Sequence, residues 1–216
     1  MNIFISGGCK NGKSDFAQEQ AVKLAKRYRQ ESDLQSDGSS SSVHSPVRLY
    51  YVATMIPYDD EDRARIKKHI ENRAGLGFET LELGRDLMSR ISDPDGVYLV
   101  DSVTALLLNE LFPSSEFACA DPDGVNRCRD ELLALAGFAR GVVFVSDYIY
   151  SDAARYDEFT ENYRRSLASV DAALAEVCDM VIELCAVNVV YHKRADSSDF
   201  TLADSTADTA RGCLPC

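Results

Sequence analysis

Residues 7–14 read GGCKNGKS and fit the pattern G-x-x-x-x-G-K-S. In that pattern glycines turn the backbone so that successive N–H groups converge on a phosphate. Here the cradle would be Gly7, Gly8, Cys9, Lys10, Asn11, Gly12, Lys13 and Ser14. The helix that follows adds a partial positive charge at its N-terminus, about half an elementary charge. Lys13 is placed to reach the β- and γ-phosphates, and the Ser14 hydroxyl to bind Mg²⁺. Such a loop needs a strand before it and a helix after it. Asn2 to Ile5 is a short apolar run. From Ser14 to Arg29 an apolar side is formed by Phe16, Ala17, Ala21, Leu24 and Ala25.

The same alternation continues downstream. VRLYYVAT (47–54), FETLEL (78–83), GVYLVDS (96–102), GVVFVSD (141–147), DMVIEL (179–184) and NVVYHK (188–193) read as strands, FETLEL as an edge. Residues 59–73, 103–112, 125–140 and about 153–177 read as helices. Apolar strands alternating with helices predict one α/β domain of the phosphate-loop NTPase type over residues 1–193. Its mostly parallel sheet would be covered by helices on both faces. The serine-rich stretch at about 31–46 is expected to be a mobile insertion, and residues 194–216 a polar, disordered tail.

Composition narrows the classes. The chain has 216 residues and a formal net charge of −12, which disfavours general affinity for nucleic acid. No apolar run is long enough for a membrane span, and the start lacks the features of a secretory signal. A cytoplasmic protein with reduced thiols at its seven cysteines is expected. The tail pair Cys213 and Cys216 forms a lone C-x-x-C, weak evidence for zinc and a poor prenylation box. No role is assigned to His44, inside the insertion, or to His192, at a strand end.

A magnesium site beside the loop also needs a carboxylate just past an apolar strand. Asp101 is the first choice and Asp147 the second, although either could simply cap the next helix. The helix at 59–73 carries Arg65, His69 and Arg73 at i, i+4 and i+8, on one face. Two guanidinium groups beside an imidazole disfavour its protonation. A neutral imidazole can attack phosphorus while the arginines hold phosphate oxygens. Taken alone, the pattern reads first as a basic helix face in solvent.

Together these segments resemble one family, the bifunctional adenosylcobinamide kinase and adenosylcobinamide-phosphate guanylyltransferase of cobalamin biosynthesis. Its G-G-x-x-x-G-K-S appears as FISGGCKNGKS, and its Y-I-A-T as YYVAT. Its R-I-x-x-H-x-x-x-R lies within EDRARIKKHIENR, its T-x-E in FETLE, its L-x-E-C-x-T in LVDSVT, and its N-L-L-F helix in TALLLNELF. The ordered series is more specific than the glycine loop, which many families share.

The resemblance implies that His69 accepts GMP from GTP and passes it to adenosylcobinamide phosphate, giving adenosylcobinamide-GDP. It implies that Gly7 to Ser14 hold the triphosphate, that Ala53 and Thr54 line the nucleotide site, and that Arg73 contacts phosphate. Glu82 and Asp101 would face guanosine or the metal, with Mg²⁺ on Ser14 and Asp101. In the kinase step a γ-phosphate of ATP or GTP moves to a hydroxyl of adenosylcobinamide, with Lys13 and Mg²⁺ neutralising charge. A homotrimer is also implied.

One stretch departs from the family. Its T-N-E-V-G-x-G-I-V-P and later F-R-D-x-x-G-x-x-N-Q appear here as SDYIYSDAARYDEFTENYRRSLASVD. Asp147 and Tyr148 stand for Asn-Glu, Tyr163-Arg164 for Phe-Arg, and Asp171 for the later asparagine. Two other readings therefore stay open: a phosphate-loop kinase for another small molecule, and a nucleotide-binding protein that has lost one or both activities.

Overall fold

The first strand, β1 (Asn2–Gly7), lies in the interior of a seven-stranded sheet. The structure is a computed structural model describing residues 1–34, 47–113, 120–186 and 188–194, with the side chains of Arg65 and Asn72 outside that description. His44, Cys119, Cys213 and Cys216 also lie outside the described residues. The chain then forms α1 (Lys13–Leu34), β2 (Leu49–Ala53), α2 (Asp60–Asn72) and β3 (Phe78–Glu82). A turn of 3-10 helix at Leu87–Arg90 leads into β4 (Val97–Asp101), α3 (Val103–Leu111) and α4 (Gly124–Phe138). The remaining elements are β5 (Gly141–Asp147), α5 (Glu158–Val177), β6 (Met180–Cys185) and β7 (Asn188–Lys193).

The strand order is β3-β2-β4-β5-β1-β6-β7, parallel throughout except for the antiparallel β7 edge. β3 occupies the opposite edge, as its half-polar sequence predicts. Central strands need apolar side chains on both faces, which is why β5 carries the unbroken run Val142-Val143-Phe144-Val145, all buried. Period-two alternation then sorts two cores. Ile3, Ile5, Tyr51, Leu99, Val143, Val145 and Ile182 meet α1, whose small residues Ala17, Ala21 and Ala25 let it approach closely. Phe4, Tyr50, Val52, Tyr98, Val100 and Phe144 meet Leu106, Leu107, Leu132, Leu135, Leu167 and Leu174 of α3, α4 and α5.

From β1 the chain crosses to β2 on one side of the sheet, whereas from β5 it crosses to β6 on the other. The connections leaving the C-terminal ends of β1 and β5 diverge, opening a crevice of the kind that α/β sheets use for ligands.

Two expectations need correction. α1 continues to Leu34, so residues 31–34 are helical rather than part of the insertion. The Arg27–Glu31 pair at 2.7 Å supports the extra turn, and Arg29 donates to the Val47 carbonyl from Nη2 at 2.7 Å. α5 begins at Glu158, not near residue 153. Asp157 caps it by accepting from the Thr160 N–H at 2.9 Å. The preceding carbonyls are used by Arg164 instead, which donates to Ile149 O at 2.9 Å and to Ala154 O at 3.5 Å. Arg164 also bridges Asp152 and Glu161 at 2.8 and 2.7 Å, so the segment between β5 and α5 is tied down as irregular chain.

Of the cysteines described, Cys128 and Cys178 are buried, and burial pushes the Cys178 thiol up to about 12. Cys9 and Cys185 are exposed free thiols. No helix among the described residues is long and apolar enough to cross a membrane.

Asp171 is a buried acid on α5. Its Oδ2 accepts from Ser146 Oγ at 2.8 Å and from Tyr150 OH at 2.9 Å, while Oδ1 is buried without a hydrogen-bond partner among the described residues. Burial, with Asp147 nearby, raises its pKa from 3.8 to about 7 despite these two donors. The folded state therefore holds a proton that the unfolded chain releases, and stability falls as pH rises from about 4 to 7. Asp171→Asn keeps an acceptor for both donors and removes the charge. In urea titrations its stability relative to the native chain should rise between pH 5 and pH 8, by an amount on the order of a few kcal/mol. Parallel stability–pH curves for the two proteins would contradict a charged, buried Asp171.

Candidate active site

The loop between β1 and α1 takes the shape its glycines allow. A Cβ on Gly7 would lie 2.5 Å from Asn11 Nδ2 and 2.6 Å from the Leu184 carbonyl, so only glycine fits there. Gly12 has φ +86°, a region that disfavours other residues. Asn11 pins the loop to β6 by donating from Nδ2 to Leu184 O at 2.7 Å. Lys13 opens α1 and is buried, at 6 % exposure. Its ammonium donates to Gly8 O at 2.5 Å and pairs with Asp147 Oδ1 at 2.6 Å.

The ends of β2 and β4 form the next part of the site. Thr54 is fully buried and its hydroxyl is used twice, accepting from the Ser102 N–H at 2.7 Å and donating to Ser102 O at 2.8 Å. Ser102 in turn caps α3 by accepting from the Ala105 N–H at 3.2 Å. Asn109 of α3, also buried, donates to Thr54 O at 2.8 Å and Gly84 O at 2.9 Å, joining the exits of β2 and β3. This lock explains physically why a threonine ends YYVAT and why an asparagine is buried in the leucine-rich helix α3. Asp101 Oδ2 accepts from Tyr51 OH at 2.7 Å. Burial and, secondarily, the Asp101 charge raise the Tyr51 pKa, so the phenol stays a donor.

α2 stands away from the sheet, and none of its described side chains is buried. Its N-terminus is capped by Asp59, whose carboxylate accepts from the Asp62 N–H at 2.8 Å. Its C-terminus is anchored by Arg73. That guanidinium lies 4.1 Å above the Tyr51 ring and donates to Thr80 Oγ1 from Nε at 3.3 Å and Nη2 at 3.2 Å. Arg73 is buried, at 7 % exposure, and among the described residues no carboxylate pairs with it. A buried cation without a counter-ion is costly unless an anion arrives.

Two clefts meet at this helix. One, of about 750 Å³, is lined by the loop from Cys9 to Asp15 together with Lys68, His69, Asp101 and Asp147. The other, of about 430 Å³, is lined by Tyr51, Ala53, Ile66, His69, Arg73, Glu82 and Asp101, with Met55, Ile56 and Pro57 as an apolar wall. His69, Asp101, Ser102 and Met55 belong to both. His69 Nδ1 is buried and lacks a hydrogen-bond partner among the described residues. The arrangement suits a nucleotide: an anion cradle, a partly apolar recess with an acid at its rim, and an imidazole at the junction.

Of the residues singled out from sequence, the fold brings together Lys10 through Ser14, His69, Asp101 and Asp147 around the first cleft. Ala53, Arg73 and Glu82 line the second, while Thr54 works from below through its hydroxyl. The side chain of Arg65 lies outside the description. His192 is exposed and pairs with Glu183, Nε2 to Oε2 at 2.7 Å. Sequence reading missed Tyr51 and Thr80, which seat Arg73. Only their alternation along neighbouring strands hinted at which face they share.

For Mg²⁺ the cleft offers the Ser14 hydroxyl and the Asp101 carboxylate, oxygen ligands suited to a hard cation, with Asp15 and Glu61 also on its wall. Asp147 is engaged by Lys13 instead. Among the described residues no group of three or more His, Cys, Asp or Glu side chains is arranged to hold a metal alone. Any Mg²⁺ here would need phosphate oxygens or water to complete its shell.

The sequence profile of the cobinamide kinase / cobinamide phosphate guanyltransferase family matches residues 37–189, most of the chain. The chain belongs to this family. As a cobinamide kinase / cobinamide phosphate guanyltransferase family member it is placed among transferases whose two chemistries are phosphoryl and guanylyl transfer in cobalamin biosynthesis. None of the curated proteins matches significantly. Among solved structures, a protein of Pyrococcus horikoshii OT3 aligns with TM-score 0.42 and 10 % identity, over 89 % of this chain and 86 % of that one. A KaiC-like protein of the same archaeon aligns with TM-score 0.42 and 13 % identity, over 91 % and 81 %.

Arg73 gives a direct test of this geometry in the family member. Arg73→Met keeps much of the packing on Tyr51 and removes a buried charge that lacks a carboxylate. Affinity for GTP, followed by calorimetric titration, should fall about tenfold or more, some 1.4 kcal/mol. Stability of the free protein in urea should change by less than about 1 kcal/mol. Unchanged affinity would remove Arg73 from the anion site.

Proposed function

We propose that this protein phosphorylates adenosylcobinamide and then transfers GMP from GTP to adenosylcobinamide phosphate, through guanylylated His69. The observation that carries the reading is the position of His69 at the junction of the two clefts, with a buried Nδ1 that lacks a hydrogen-bond partner among the described residues. The loop from Gly7 to Ser14 holds the phosphates, and Lys13 neutralises charge on them. Ser14 and Asp101 would hold Mg²⁺, which would supply further neutralisation of phosphate charge. Arg73 draws the α-phosphate toward the helix, while Ala53, Thr54 and Glu82 frame the nucleoside. The imidazole nitrogen attacks the α-phosphorus, an N–P bond forms, and pyrophosphate leaves with the electrons of the broken P–O bond. A phosphate oxygen of adenosylcobinamide phosphate then displaces the imidazole, giving adenosylcobinamide-GDP. Positioning and preorganised charge, rather than covalent help from other side chains, lower both barriers.

GTP radiolabelled at its α-phosphorus should leave an acid-labile, base-stable label on the protein with Mg²⁺ present, and His69→Ala should carry none. A native protein without label, or equal label on the alanine variant, excludes the histidine route. Separately, Lys13→Ala should lower γ-phosphoryl transfer to adenosylcobinamide by about 100-fold or more, measured by product formation. A second reading is a phosphate-loop kinase for another small molecule. It is favoured by the segment between β5 and α5, where Arg164 fixes a tyrosine-bearing chain beside the cleft. That reading expects hydroxyl phosphorylation with His69 unlabelled.

A further inference from the structure

Tyr51 of β2 and Thr80 of β3 are partners in the parallel register, so their side chains stand next to each other on one face of the sheet edge. Together they make a seat for a single group. The Arg73 guanidinium lies 4.1 Å from the centre of the Tyr51 ring, and its Nε and Nη2 donate to Thr80 Oγ1 at 3.3 and 3.2 Å. The ring is itself fixed. Its hydroxyl donates to Asp101 Oδ2 at 2.7 Å, and Phe78 meets it edge-on with centroids 5.9 Å apart. Tyr51 is buried and Thr80 exposed, so one half of the seat belongs to the core and the other to the surface.

Arg73 passes this fixed position on to His69. It is the C-cap of α2, and its backbone N–H donates to the His69 carbonyl at 3.3 Å. The Asp59 cap at the other end bonds to Asp62, inside the same helix. None of the described side chains of α2 is buried. The seat of Arg73 therefore sets where the last turn of α2, with its imidazole, stands above the sheet. Nucleophilic attack tolerates little error there. Reacting atoms must lie about 3–3.5 Å apart and aligned, and a displacement of about 1 Å can cost on the order of 100-fold in rate.

We propose that Tyr51 and Thr80 are positioning residues for guanylyl transfer: by seating Arg73 they hold His69 in line with the α-phosphorus. The inference rests on the His69 route proposed above. Neither residue reacts; the seat acts through the arginine and the helix turn that it closes. Tyr51 also borders the second cleft. A direct contact with nucleotide from there would change affinity, whereas positioning changes the rate once nucleotide is bound.

The test uses the full chain with Mg²⁺ and GTP radiolabelled at its α-phosphorus. Two quantities are read: the single-turnover rate of His69 labelling at saturating GTP, and the dissociation constant of GTP. Thr80→Val keeps the shape of an exposed edge residue and removes both bonds to Arg73. Tyr51→Leu removes the ring. Labelling should slow about fivefold or more in the first and about tenfold or more in the second, with affinity held within about threefold. Tyr51→Phe keeps the ring under Arg73 and should recover most of the lost rate. In the Arg73→Met background neither Thr80→Val nor Tyr51→Leu should slow labelling further by more than about twofold, because the group they seat is gone. A labelled native chain with equally fast Thr80→Val and Tyr51→Leu variants overturns this inference alone. Additive slowing in the Arg73→Met background overturns it as well, since the loss would then be one of general packing. Weaker binding at an unchanged saturated rate replaces it by direct nucleotide contact. A Tyr51→Leu chain that does not fold leaves the decision to Thr80→Val and its pairing with Arg73→Met. A native chain that takes no label removes the His69 route and this inference together.

Discussion

The site depends on β1 lying between β5 and β6 in parallel register, with Gly7 opposite both Asp147 and Leu184. Three parallel strands ending at one level place the glycine loop, a carboxylate and an anchoring carbonyl within reach of one another. Asn11 bonds the Leu184 carbonyl and Lys13 pairs with Asp147, so the loop is braced from both neighbouring strands. The closeness that makes this work excludes a side chain at position 7. A parallel sheet also forces long crossovers. The helices that cover its two faces are therefore a consequence of the arrangement that builds the cradle.

The second part of the site obeys a different logic. None of the described side chains of α2 is buried in either core, yet the helix carries His69. What holds it is a capping aspartate at one end and, at the other, Arg73 seated on Tyr51 and Thr80. A helix tethered at its ends can adjust to a nucleotide more readily than one welded to the sheet. The same arginine is a buried cation that lines the second cleft, so one group both anchors the helix and supplies positive charge to that cleft. Tyr51 reaches both partners, stacking under Arg73 and donating to Asp101. It thereby couples the carboxylate at the end of β4 to the helix that bears the histidine.

Much of the framework was legible because it rests on local rules. GGCKNGKS between an apolar run and an amphipathic helix implies strand, loop and helix. VVFV implies a strand buried on both sides. The failures share a cause: individual side-chain contacts, which leave no periodic trace, decide where a helix begins and ends. The segment before α5 has helical composition, but Arg164 takes the carbonyls of Ile149 and Ala154, and Asp157 caps the helix later. The extra turn of α1 is held partly by the contact between Arg29 and Val47, across the serine-rich stretch. Spacing alone put Arg73 on a helix face with His69; the structure turns it inward at the helix end, where it is buried.

By itself the sequence determined the alternation of strands and helices, the phosphate loop, and the ordered motifs that mark the family. Those features depend on periodicity and on residue types that only certain backbone conformations accept. Strand order was decided by the tertiary structure alone, because parallel neighbours are far apart in the chain. With it came the pairing of Lys13 with Asp147, the Thr54–Ser102–Asn109 lock, and the meeting of two clefts at His69. Each joins residues some 40 positions apart or more, or whole elements, and such contacts leave no periodic trace in a single sequence.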